Sequence, residues 1–163
     1  MNEVSKRMTS KITYLKGDAT ASSAKGTKII AHICNDIGGW GKGFVLAVSK
    51  RWSEPEMQYR DWYRSKEGFA LGKLQIIQVE PYIFVANMIA QRGIKTGSKG
   101  VPIRYEAVER CLSSLSDKAK ELNASVHMPR IGCGLAGGKW ENIEPIIERT
   151  LLIKGIDVYV YDF

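Results

Sequence analysis

HICNDIGGWGKGF, residues His32 to Phe44, begins as the end of a strand and finishes as the start of a helix. Ile29, Ile30, Ala31 and Ile33 give TKIIAHIC (Thr27 to Cys34) the mostly apolar character of a strand covered on both faces. The apolar run then stops, and Gly38, Gly39, Gly41 and Gly43 follow within six positions. Each glycine destabilises regular structure by roughly 0.5–1 kcal/mol relative to alanine. Bare backbone at the exit of a buried strand therefore answers a need for close approach. FVLAVSKRW (Phe44 to Trp52) has helical composition, which completes a unit of strand, glycine turn and helix.

The same design recurs further along. SVHMPRI reads as a strand, GCGLAGGK (Gly132 to Lys139) as a second glycine loop, and WENIEPIIERTLLIKG as a helix stopped at Gly155. Between the two units, a helix starting at Pro55 carries Tyr59, Trp62 and Tyr63. LGKLQIIQVE and YIFVANM read as two strands linked tightly at Glu80-Pro81. Ile89 to Val101 reads as a polar loop, and Pro102 to Asn123 as a helix with its apolar stripe at Ile103, Ala107, Cys111, Leu115, Ala119 and Leu122. ITYLK (Ile12 to Lys16) and IDVYVYDF supply the first and last strands. Strands alternating with helices predict an α/β fold of three layers, α/β/α, with a mixed, mostly parallel central sheet of about six strands. Residues 1–10 read as a flexible lead-in, and 11–163 as a single domain.

Composition narrows the classes. A length of 163 residues, 44% of them hydrophobic and 25% charged, suits one globular domain with a real core. No run of 18 apolar residues is present, and MNEVSKRMTSK lacks the apolar segment of a secretory signal, so neither a membrane span nor export is expected. Cys34, Cys111 and Cys133 lack metal-binding spacing, and His32 and His127 add too few ligands for a zinc set. Reduced thiols, no cofactor, no metal and a cytoplasmic location are the expectations. The formal net charge of +7 favours anionic partners, but the basic residues are scattered, with no run of five.

Two glycine loops at strand-to-helix junctions offer backbone N–H groups to an anion, with the helix dipole adding positive potential. Side by side, they would wrap a diphosphate. Neither matches GxGxxG with a distal acidic residue, nor GxxxxGK[ST], so dinucleotide and P-loop readings are disfavoured. The carboxylate of Gly17-Asp18 can accept from an adenine amino group or cap the following segment. Tyr161 and Phe163 in VYVYDF can stack on a base or pack in the core.

GDAT, HICNDIGGWGKG, MPRIGCGLAGGKW and the closing VYVYDF together resemble the macrodomain family of ADP-ribose-binding modules, over Ile12 to Phe163. The His-x-Cys-Asn-x-x-Gly-x-Trp-Gly-x-Gly pattern is similar to the subgroup of ADP-ribose 1''-phosphate phosphatases and terminal ADP-ribose glycohydrolases. The resemblance implies that Asp18, with Ala19, holds the adenine amino group and that Asn35 contacts the distal ribose. It implies a first phosphate loop of Gly39, Trp40, Gly41, Lys42, Gly43 and Phe44. The second would be Gly132, Cys133, Gly134, Leu135, Ala136, Gly137 and Gly138, with Tyr161 packed near the adenine. Glycohydrolases of this kind use a lysine and an aspartate where this chain has Gln91 and Ala136. A covalent lysine mechanism is therefore not expected.

A bound water positioned by Asn35 would replace it, with His32 or Asp36 as candidate base. His32 in an apolar strand equally suits a core histidine, and Asp36 a turn-forming residue. Cys133 between two glycines has no base beside it and reads as packing, and His127 reads as structural. Three functions compete: hydrolysis of an ADP-ribose adduct, possibly one carried on a protein; capture of ADP-ribose without chemistry; and, disfavoured, nucleic-acid binding. A monomer that avoids membranes is expected.

Overall fold

The computed structural model describes residues 11–94 and 100–163. The lead-in expected over 1–10, and residues 95–99 of the long loop, lie outside the described residues. Six strands form one sheet: β1 (Thr13–Lys16), β2 (Lys28–Asn35), β3 (Leu74–Glu80), β4 (Ile83–Gln91), β5 (Ser125–Pro129) and β6 (Val158–Asp162). Their order is β1-β6-β5-β2-β4-β3. All neighbours run parallel except β3 on β4, which the two-residue link Pro81-Tyr82 makes antiparallel. The sheet is thus mixed and mostly parallel, as the alternation predicts.

Among the described residues four helices cover it: α1 (Phe44–Arg51), α2 (Glu54–Ser65), α3 (Tyr105–Leu122) and α4 (Trp140–Thr150). β2 is buried along nearly its whole length, and its alternate residues divide the core. Ile29 and Ala31 face the layer of α3 and α4, where Leu112, Leu115, Ile143 and Ile147 are wholly buried. Ile30 and Cys34 face the layer of α1 and α2, with Val48 and Tyr59. These two cores make the three layers.

Boundaries shift by a few residues at several ends. The loop expected from Ile89 starts later, because β4 continues to Gln91, which pairs with Asn35 of β2 across a bulge and bridges to Ile103. α3 starts at Tyr105, since Ile103 is held in that bridge, and ends on Asn123 in the left-handed conformation. α4 stops at Thr150, where a short 3-10 turn (Leu152–Lys154) takes over before Gly155. A second 3-10 turn, Ala19–Ala21, follows β1 and was not signalled by periodicity.

Candidate functional site

β2 and β5 are adjacent in the sheet, yet the chain leaves them in opposite directions, β2 through α1 and α2 towards β4, β5 through α4 towards β6. Such a reversal opens a crevice beyond the carboxyl ends of the strands. A cleft of about 610 Å³ lies there, lined by residues at the exits of β2, β4, β5 and β6 and by the first turn of α1. Its two walls are the two glycine loops.

The first loop is braced from inside by Asn35. Its Oδ1 accepts from the N–H groups of Ile37 (3.0 Å) and Gly39 (2.9 Å), and its Nδ2 donates to Gly39 O at 2.9 Å. Tyr59, wholly buried on α2, donates its hydroxyl proton to Asn35 O at 2.6 Å. α1 then opens on Gly43, whose φ of 80° and ψ of −145° exclude a side chain on steric grounds. Leu46 N donates to Gly43 O at 3.1 Å, and the N–H groups before it precede the helical ladder, so this end of α1 turns backbone donors and the positive end of its dipole to the cleft.

The second loop closes on itself: Gly138 N donates to Gly132 O at 2.7 Å and Gly137 N to Gly134 O at 3.1 Å. A Cβ on Gly138 would lie 2.5 Å from that same carbonyl oxygen. Gly138→Val is therefore expected to cost about 1–3 kcal/mol, measured by urea unfolding. The tip of this loop, Leu135, reaches across to the first loop, 4.0 Å from where a Cβ on Gly43 would stand.

Of the sequence-predicted residues, His32, Lys42, Gly43 and Phe44 line the cleft from one side, and Gly132, Gly134, Leu135 and Ala136 from the other, with Gln91 added from the end of β4. Asn35 and Asp36 do not line it. Asn35 is turned into its own loop, and Asp36 Oδ1 accepts from Gly93 N at 2.8 Å, tying the loop to the end of β4. Nor do Gly39 and Gly41 line it, and the ring of Trp40 is buried beneath the loop. Trp40 donates to Ser49 Oγ at 2.7 Å and packs edge-on against His32, because an indole that size is better placed in the core than in solvent. Cys133 faces Ile131 O at 3.5 Å, and burial pushes its thiol up from its ordinary value, so it is not an activated nucleophile. Gly137 and Gly138 shape the loop without lining the cleft.

Asp18, Ala19 and Tyr161 stand outside the cleft lining, at the β1 and β6 end of the crevice. Asp18 Oδ1 accepts from Thr20 N (2.8 Å) and Thr20 Oγ1 (2.7 Å), and Arg51 at the end of α1 donates to Thr20 Oγ1 at 2.9 Å. The capping reading of Asp18 thus holds for Oδ1. Tyr161 is buried, its hydroxyl 2.8 Å from His127 Nδ1. His127 is wholly buried between that hydroxyl and Ser125 Oγ, stacked 4.8 Å from Tyr159. Burial, aided by the charge of Lys28, lowers its pKa to about 4, which fits the structural role expected of it.

Sequence reasoning missed Arg130. It lines the cleft at the exit of β5, held by a bidentate pair with Asp162 (2.7 and 3.0 Å), and its guanidinium lies 5.0 Å from the Tyr14 ring. A cation between a strand and a glycine loop was its only signal. Phe163 also lines the cleft and is 90% exposed, free to offer a ring face. Among the described residues no cluster of three His, Cys, Asp or Glu could hold a metal, and no helix is long and apolar enough to cross a membrane.

No family model matches the chain. It is similar to a solved macrodomain protein from Streptomyces coelicolor, with 56% identity, 94% of this chain and 99% of that one covered, and a TM-score of 0.85. An ADP-ribose 1''-phosphate phosphatase of Lodderomyces elongisporus is 26% identical over 160 residues, 93% of this chain and 99% of the yeast protein. Chromodomain-helicase-DNA-binding protein 1-like of Mus musculus is 30% identical over 161 residues, 93% of this chain, which spans only 18% of that relative's length. The fold, the paired loops and the near-complete match to the Streptomyces coelicolor protein agree: the chain belongs to the macrodomain family.

Proposed function

We propose that the cleft binds ADP-ribose and that the protein hydrolyses an adduct at the distal ribose, a 1''-phosphate or an acyl ester, with water as nucleophile. The observation that carries the reading is the pairing of two glycine loops and the start of α1 around one cleft. Free backbone donors from both walls suit a diphosphate, and the match to a yeast ADP-ribose 1''-phosphate phosphatase along almost its whole length supports the class. Lys42 adds positive charge to the lining, while the charge of Arg130 is offset by Asp162. The adenine falls at the β1 and β6 end, where Asp18 has Oδ2 left for its amino group and Phe163 offers a ring. Tyr161 then backs the base from the core.

By the family resemblance, Gln91 and Ala136 stand where the glycohydrolases carry a lysine and an aspartate, and neither side chain is an amine nucleophile. Of the three candidates for positioning or activating water, His32 alone lines the cleft, and Asn35 and Asp36 serve by holding the loop. A second reading, capture without chemistry, is favoured by the same two substitutions. The helicase-like relative raises nucleic acid as a third partner, which predicts steep loss of binding with salt.

Calorimetric titration with ADP-ribose, AMP and single-stranded RNA at two salt concentrations separates these readings. One-to-one binding of ADP-ribose and release of phosphate from its 1''-phosphate are the expected results. Binding without turnover on phosphate or acyl adducts would leave the capture module. RNA binding that collapses with salt, and none of ADP-ribose, would sink both. Asp18→Ala is expected to weaken ADP-ribose at least tenfold, by about 1.5–3 kcal/mol for a hydrogen bond to a charged group. No change would move the base elsewhere.

A further inference from the structure

His32 lies directly opposite Asn87 in the β2–β4 register, is among the residues lining the cleft, and packs its ring 5.3 Å from that of Trp40 and 5.8 Å from that of Phe44. It is 1% exposed, and its Nδ1 has no hydrogen-bond partner. An orphaned buried nitrogen carries a desolvation cost that a partner arriving with the ligand would remove.

Which nitrogen carries the proton follows from groups that cannot change roles. The carbonyls of Gln58 and Pro55 only accept. Gln75 Nε2 donates to Gln58 O at 3.0 Å, which leaves Gln75 Oε1 as an acceptor. Asn87, wholly buried, donates through Nδ2 to that Oε1 (3.0 Å) and to Pro55 O (3.1 Å). Its Oδ1 must therefore accept, and it lies 2.6 Å from His32 Nε2. The Cys34 sulfur, 3.9 Å from the same nitrogen, is too distant to compete. The ring proton sits on Nε2, and Nδ1 keeps its lone pair.

We infer that Gln75 and Asn87 are positioning residues that lock His32 as a hydrogen-bond acceptor on the cleft floor, and that Nδ1 there receives a hydroxyl of the ribose beyond the diphosphate. The identity of that hydroxyl rests on the ADP-ribose reading; the lock does not. The loops and rim offer donors, which suit phosphate oxygens. Nδ1 offers the opposite: a phosphate oxygen placed on it would meet lone pair with lone pair. One wall of the cleft thus reads anion, and its floor reads O–H.

The chain has only two histidines, so long-range nitrogen–proton correlation spectra of the ¹⁵N-labelled native protein resolve the ring directly. The expected result is an Nε2–H ring for His32, with an Nδ1 resonance that moves upfield on saturation with ADP-ribose and stays in place with ADP, which lacks the second ribose. In Asn87→Asp the carboxylate draws a second proton onto the ring and turns Nδ1 into a donor. ADP-ribose should then bind about tenfold more weakly and ADP equally well. An Nδ1–H ring in the native protein overturns the lock. An Nδ1 unmoved by bound ADP-ribose, or moved equally by ADP, overturns the hydroxyl in favour of water or phosphate. Failure of ADP-ribose to bind at all would sink the ADP-ribose reading and the hydroxyl with it, while the proton position alone still decides the lock. The native-protein spectra decide these points even where the variant does not fold.

Discussion

Tyr59→Ala is expected to lower the unfolding free energy by about 3–5 kcal/mol, and Tyr59→Phe by about 1 kcal/mol. Tyr59 is wholly buried, with its ring 5.5 Å from Trp40 and 5.8 Å from Phe69, so truncation leaves a cavity in the core between the sheet and α1 and α2. The phenylalanine variant keeps that packing and removes one hydroxyl. The hydroxyl lies 2.6 Å from Asn35 O and 3.0 Å from Asn35 Oδ1, and its single proton serves the shorter contact. Loss of that bond frees the residue that braces the first glycine loop. Tyr59→Phe should therefore weaken ligand binding more than its small stability change suggests. Chemical denaturation and calorimetry on the same samples test both. An alanine variant within 1 kcal/mol of the native protein would show that the layer does not depend on Tyr59.

The second large effect is a loss of stability in mild acid. Burial lowers the pKa of His32 to about 4, against a smaller upward pull from its bond to Asn87, and that of His127 to about 4 as well. In the unfolded chain both return to about 6.5 and bind protons that the native state refuses. Each therefore contributes stability in full above about pH 6.5 and loses it as pH falls towards 4. Linkage gives about 2 kcal/mol per histidine between pH 7.5 and 5, or about 4 kcal/mol together. Urea unfolding at the two pH values measures it. In His127→Gln about half of the dependence should remain, and an unchanged pH slope would refute the assignment.

The architecture was legible because alternate burial along β2, the α3 stripe and the glycine stops each record a local rule. Lys42 and the two loops were legible as positions along the chain for the same reason. The direction of a side chain within a glycine loop is another matter. Trp40 and Asn35 sit among residues with no period, so nothing in the sequence tells that the indole turns under the loop and the amide into it. Arg130 enters the cleft at the exit of β5, which only the sheet order brings beside the first loop. Asn87 hid in an apolar run, where its meaning depends on Gln75 and the carbonyl of Pro55.

Among the described residues, β6, the latest strand, lies between β1, the earliest, and β5. During synthesis β1 must wait, its pairing edge open, until Val158–Asp162 emerges to fill the gap beside it. Pairings of such long sequence separation form slowly, and the waiting strand is open to a foreign partner. Because Gly17 N bonds Asp162 O at 2.7 Å, the base end of the cleft comes into being with that same insertion. A nascent chain halted before Val158 would hold both glycine loops and no completed site, a species for chaperones to guard.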